Sequence, residues 1–382
     1  MANTDRSAAH LADHQARLLR LQAQQLAARP AASVEAVVRA VRGRVGVQAQ
    51  EPRAARLALR ARIRGLGAAA VKAALVRERS LVRTWTLRGT LHLVAAEDLA
   101  WLLGLLAPGL IRGGERRRLE LGLDAGTSRR GVDALDRMLR AEGRLTRAEI
   151  AARLAALGIP TAGQATIHLI GLAGLEGVLC YGPDRDGEAT FVALEDWLEN
   201  WPKNGNEPGP VLPPEDPAAE LARRYLAGYG PATPEDLATW SGLKVGEARA
   251  AWRRLEGRLL KVTLRGAPAW LLADDSARLD AAPPAGPIVR LVPGYDPYLL
   301  GYRRRDLAVD PEHARAVHPG GGVLHPAILV DGRAAGTWKP ARRRGRLDVT
   351  LQPFDALGGV APQLEAEVED VARFLEEARQ QA

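Results

Sequence analysis

The chain has 382 residues, 47% hydrophobic and 26% charged, which suffices for the cores of two or three domains. A single cysteine, Cys180, excludes a disulfide framework and a thiolate zinc site, and no apolar run of about 18 residues offers a membrane span. Lys and Arg number 53 against 45 acids, a net of +8, and residues 1–130 concentrate the excess, with 23 basic and 10 acidic side chains. Eleven arginines and two glutamates fall within 17–64, a one-sided basic segment that suits a polyanion, nucleic acid first. The opening MANTDRSAAH is polar and has no apolar signal core, so the expected compartment is the cytoplasm, close to the nucleoid.

Residues 9–28, rich in Leu, Ala and Gln, read as a helix. Ser33 caps VEAVVRAV, which should end near Gly43; Pro52 opens RAARLALRARI, and 68–79 makes a further helix. VRTWTL, the turn RGT and LHLVAA form a hairpin at 82–96, with Trp85, Leu87, Leu91 and Leu93 alternating along one face. Segment 97–130 continues helical and closes on a Gly- and Arg-rich link, GLDAGTSRRG.

An internal repeat follows. GRLTRAEIA at 143–151 and GPATPEDLA at 230–238 share a Gly, then a Thr, then an acid, an aliphatic residue and Ala. Thr146 and Thr233 are N-cap residues with Glu149 and Asp236 placed to close capping boxes, and Pro234 suits a first helical position. Each short helix meets a turn, then a second amphipathic stretch (162–176 and 244–256) ending in Leu-Glu-Gly, then two β-prone runs around a turn. Helix, turn, helix and hairpin is the winged helix-turn-helix plan, in two copies with a weaker third at the N-terminus. Cys180 falls in the second hairpin as a small hydrophobe, and Trp197 and Trp201 read as core.

Two Pro-rich stretches, 203–217 and 280–287, act as linkers. Beyond them IVRLV, HPAILVDG, GTWK and RLDVTLQ suggest a small antiparallel sheet or barrel, and 362–380 a final amphipathic helix. The expected division is 1–130, 131–202, the linker 203–217, 218–279 and 286–382, in an α+β chain.

No GxGxxG, P-loop, HExxH or GxSxG occurs, and no His pairs with another His or an acid at metal spacing. The expectation is a protein without metal or cofactor. The segment VGVQAQEPR at 45–53 lies between a helix end and a helix start, and is therefore extended or turning. In extended backbone Gln48 and Gln50 point to one side, whereas on a helix they diverge. Two converging amides can hold a water or read a base edge; equally, both fit as polar loop residues.

Val45–Arg60 (VGVQAQEPRAARLALR), Arg83–Trp101 (RTWTLRGTLHLVAAEDLAW) and Leu291–Arg303 (LVPGYDPYLLGYR) together resemble the bacterial winged-helix DNA glycosylases that unhook interstrand crosslinks, the AlkZ-like and YcaQ-like enzymes. The resemblance implies three tandem winged helices around a concave cleft, a C-terminal β-barrel, and Gln48 and Gln50 as the catalytic pair. Gln rather than Asp at position 50 places the chain with the AlkZ-like branch, which is associated with antibiotic self-resistance. The implied partner is double-stranded DNA carrying alkylated purines, met by a monomer through Arg53, Arg83, Arg88, His92, Asp296 and Arg303. Asp296 also fits as a turn-forming Asx residue, and Arg303–Arg305 and Arg342–Arg344 as solvated or phosphate-positioning groups. The alternative is a non-catalytic winged-helix DNA-binding protein or transcription regulator. Such proteins ordinarily dimerise, and no heptad or dimerisation helix stands out in the chain.

Overall fold

The structure, a computed structural model, describes residues 9–199, 201, 214–282, 284–343 and 346–380, with the backbone alone at 342, 343, 346 and 347. Most of the first linker (203–213), Pro283 of the second, and Arg344 lie outside the described residues. The architecture is α+β, in two compact units: Met1–Val71 with Ala218–Ala382, and Lys72–Pro217. Among the described residues no helix is long and apolar enough to cross a membrane.

In the second unit the hairpin Leu81–Trp85 and Leu91–Ala95 forms at the expected place, but Leu87 lies in its tight turn rather than on a strand, and Leu91–Ala95 is buried at every position. Leu81–Trp85 also pairs with Leu179–Tyr181, which pairs with Thr190–Ala193, which pairs with the short Leu145–Thr146, all antiparallel. Thr146 caps Arg147–Ala156 and closes the box with Glu149. Helix Ala165–Leu175 packs against the first hairpin so closely that a Cβ on Gly174 would lie 2.6 Å from the Trp85 ring. Cys180 is buried with Val82, Leu99 and Val192, and Trp197 and Trp201 pack partly buried against the same cluster. The link GLDAGTSRRG is instead taken up into helix Ala125–Glu142: Asp124 accepts from Thr127 N and provides the cap that a reading by Gly content overlooks.

In the first unit the repeat's second copy appears as Pro234–Ser241, Val245–Arg253 and the hairpin Leu259–Leu264 with Ala267–Leu272. Thr233 and Asp236 close the capping box, and Gly242 ends the first helix in the left-handed conformation. Residues 9–28 differ from expectation. Ala9–Leu11 is a strand, parallel to Leu259–Leu264, and the helix is Asp13–Ala23. A strand of three residues with no local partner takes its form from that distant edge, which composition does not disclose.

The C-terminal strands Val289–Val292, Ala327–Val330, Arg333–Arg343 and Arg346–Pro353 make a four-stranded antiparallel sheet in chain order. The sheet is open: four strands are too few to wrap around an interior, and helix Ala361–Gln380 covers its first and last strands instead. Leu21, Leu26 and Ala61, from the N-terminal segment, share one apolar cluster with Val292, Tyr298, Ala327 and Leu329.

A buried polar junction ties these segments together. Arg62 donates to both oxygens of Asp296 at 2.8 Å and to Gln24 Oε1 at 2.8 Å, and both ionic side chains are fully buried. Gln24 in turn donates to Gly228 O at 2.9 Å. Arg60 bonds Glu367, Asp370 and Leu291 O, so helix Pro52–Arg62 is held by charge as well as by its apolar face. Asp296→Ala would strand Arg62 as an uncompensated buried cation, and unfolding in urea should show a loss of about 3–5 kcal/mol. Asp296→Leu with Arg62→Met should recover most of it; a loss under about 1 kcal/mol for Asp296→Ala would contradict a buried pair.

Candidate active site

The glutamine segment leaves a well-made helix. Ser33 Oγ accepts from Ala36 N at the start of Val34–Arg42, and at its end Gly46 N reaches Val41 O (3.1 Å) while Val45 N reaches Arg42 O (3.0 Å). This is a Schellman ending, in which the left-handed position normally belongs to glycine. Here it is Val45, at φ 54°, followed by Gly46 at φ 130°. The expected stop, Gly43, has ordinary helical angles; its carbonyl packs against Gly228, where a Cβ would lie 2.4 Å from Gly43 O.

Extended backbone follows at Val47–Gln48, and Pro52 opens helix Pro52–Arg62. Val45, Val47 and Ala49 are buried, Gln48 is half-buried and Gln50 is exposed. From Val47 on, the burial has the period of two of extended backbone, with Val47 and Ala49 inward and the two amides at the alternate positions; Val45 is buried by the helix ending instead. Arg39, Arg42 and Arg53, all exposed, lie on the helices that enter and leave this segment.

Beneath it sits Arg44, 1% exposed. Its Nη1 donates to Ala40 O (2.8 Å) and Gln25 Oε1 (2.9 Å), and its Nη2 to Ala23 O (3.2 Å). Burial, and then the nearby Arg62, lower its pKa below the usual arginine range, while Tyr229 and Asp296 oppose the shift. Arg20, Arg44, Arg60 and Arg62 are thus structural cations, although their share of the basic 17–64 run reads as DNA-facing surface. For Arg62 the sequence carries one signal: Ala55, Ala58 and Arg62 fall on one stripe of a helix whose buried positions, Arg60 and Arg62 apart, are apolar.

Asp296 requires a correction. It is fully buried, holds Arg62 and accepts from Tyr298 N to cap Pro297–Leu300, so it turns the chain and has no surface with which to touch DNA. Arg303 is exposed in the same unit, its backbone N–H bonded to Asp236. Of Arg303–Arg305, Arg305 is drawn back to Leu299 O.

The second unit places Arg83, Arg88 and His92 on one hairpin, with Thr84 opposite His92. Arg83 stacks over Tyr181 at 4.1 Å, and Arg88 sits in the turn at φ 56°. His92 is 2% exposed, with Nδ1 3.0 Å from Thr90 O; burial, helped by Arg88, lowers its pKa to about 3. It is a neutral ring in the folded protein, which removes phosphate pairing as its role in this conformation. An unfolded chain accepts the proton first as pH falls below 6.5, so His92 stabilises the fold above that value and the benefit is lost below it. Between pH 7 and 5 this costs about 2 kcal/mol. Urea midpoints of the protein and of His92→Gln should diverge over that range; identical pH dependence would contradict the buried neutral ring.

Residues 41–374 match the AlkZ-like DNA glycosylase family. An interstrand DNA cross-link repair glycosylase of Streptomyces sahachiroi is 30% identical over 278 residues, 69% of this chain and 71% of that protein. The solved structure of Streptomyces sahachiroi DNA glycosylase AlkZ superposes with a TM-score of 0.76 at 27% identity, covering 96% of this chain and 97% of that one. With the match spanning most of the sequence and nearly all of the fold, the chain belongs to the AlkZ-like DNA glycosylase family.

Proposed function

We propose that this DNA glycosylase hydrolyses the N-glycosidic bond of N7-alkylated purines in duplex DNA, bulky adducts and interstrand crosslinks included, with Gln48 and Gln50 holding the attacking water. The observation that carries the reading is the alternation at 47–50, which buries Val47 and Ala49 and leaves Gln48 half-buried and Gln50 exposed. The crosslink range draws on the relative named for interstrand cross-link repair.

The chemistry suits an amide pair. An amide has no useful basicity, so it orients water without deprotonating it. An N7-alkylguanine is already cationic: when the C1′–N9 bond breaks, its electron pair neutralises the base, which departs without a general acid. Water oxygen bonds to the oxocarbenium-like C1′, and its proton passes to solvent. Neutral bases lack this advantage and need an acid that two amides do not supply.

In this reading the helix–helix–hairpin segments serve as winged-helix modules, the exposed Arg39, Arg42 and Arg53 take phosphates, and Arg303 adds a further contact. Arg83 and Arg88 meet the duplex from the second unit's hairpin. The protein acts as a cytoplasmic monomer, and Gln50 points to self-resistance against a DNA-alkylating natural product.

Gln48→Ala and Gln50→Ala should each lower single-turnover release of 7-methylguanine by about tenfold or more, with duplex affinity within about twofold. Full activity in the double variant would remove the water-positioning role. Across a panel of duplexes, 7-methylguanine and bulky N7-guanine adducts should be released, while uracil, hypoxanthine and 8-oxoguanine should not. Efficient uracil release would refute the mechanism. Affinity should fall steeply with salt, and Arg39→Ala or Arg53→Ala should each reduce the slope of log affinity against log salt by about 1. An unchanged slope would move the DNA face elsewhere.

A further inference from the structure

We infer that Arg44 is a positioning residue for the glutamine pair: from beneath the helix end it fixes the direction in which the segment carrying Gln48 and Gln50 leaves. The inference rests on the proposed role of those two amides. Three observations meet at one joint. First, Val45 occupies a left-handed conformation that is costly for a β-branched residue, and strain of this kind persists only where the surroundings over-determine it. Second, the guanidinium of the preceding residue spans two separate segments. It takes the Ala40 carbonyl in its own helix, and Ala23 O and Gln25 Oε1 at the end of helix Asp13–Ala23. Third, the Arg44 carbonyl accepts from Tyr229 Oη at 3.4 Å, and the backbone of Gly228 lies against Gly43. The joint is held by a side chain on one side and by closely packed backbone on the other.

The acceptors of that guanidinium are three neutral oxygens, an expensive way to bury a charge. An apolar residue of similar volume would serve stability as well. What an apolar residue cannot do is fasten three acceptors in a fixed fork. Gln48 stands four residues beyond Arg44, so a small rotation at the joint carries the amides through a large arc. A shift of about 1 Å at a reacting group is enough to cost about a hundredfold in rate.

The test compares Arg44→Lys, which keeps the charge but cannot span the fork, with the natural protein and with Gln48→Ala/Gln50→Ala in one assay of single-turnover 7-methylguanine release. Each protein is assayed well below its own melting midpoint. Arg44→Lys should lose about tenfold in rate with duplex affinity within about twofold, and should cause no further loss in the double-glutamine background. Gln25→Asn keeps a residue that tolerates the φ of 55° at that position and withdraws the amide from Arg44. It should lose roughly threefold in rate with a fall in melting midpoint of only a few degrees, since Arg44 keeps its bonds to Ala40 O and Ala23 O, and it carries the test if Arg44→Lys does not fold. Full rates in the folded variants, or a loss in the double-glutamine background equal to that in the natural one, would overturn the inference. If instead the double-glutamine variant itself keeps full activity, the proposed role of the amides fails, which is a separate result.

Discussion

The pairing of Arg62 with Asp296 joins residues 234 apart in sequence, and the placement of the glutamine segment depends on it. A fully buried guanidinium is costly unless acceptors replace its water, and a carboxylate answers its charge most directly. Asp296 provides both of its oxygens, Gln24 adds a third acceptor and passes the connection on to Gly228, and Gly228 packs on the helix end at Gly43. The helix that begins at Pro52, two residues after Gln50, is therefore anchored at its far end by polar bonds that tolerate little displacement. Packing alone allows sliding at low cost; a bidentate ion pair does not.

The arginine-rich character of the N-terminal segment divides into two physical roles. Some guanidiniums, such as those of Arg39, Arg42 and Arg53, are exposed to solvent. Buried ones replace water with carbonyls and carboxylates of the same unit, and Arg20 further stacks over Tyr302 at 3.5 Å. The planar, strongly basic guanidinium can do either, which is why five lysines suffice for the whole chain. A count of positive charge overstates the surface that can meet DNA.

On the proposed reading, two primary amides in place of a carboxylate are a limited catalytic instrument. A site that only orients water can release a base that is already poised to leave, and it discriminates by the chemistry of the lesion more than by the shape of a pocket. This separates the task of finding damage, which falls to charge and groove contacts, from the task of cleaving it.

Local chemistry was legible from residues alone. Ser33, Thr146 and Thr233 set helix starts because a cap needs only an oxygen within three residues, Pro52 does so through its fixed φ, and the alternation around Gln48 needs only extended backbone. The hairpins and the four C-terminal strands were readable for the same reason, as short-range patterns bounded by turns. What lies beyond a few residues was not. The strand at Ala9–Leu11 exists because a distant edge receives it, and Asp296 and the arginines at 44, 60 and 62 are interior because partners far along the chain neutralise or accept from them. A cap is a property of neighbours in sequence, so the helix starts at Val34, Pro52, Arg147 and Pro234 could be read from residues alone, as could the inward turn of Val47 and Ala49. Burial of charge is a property of neighbours in space, so which arginines face solvent and which lie in the interior emerges only once the chain is folded.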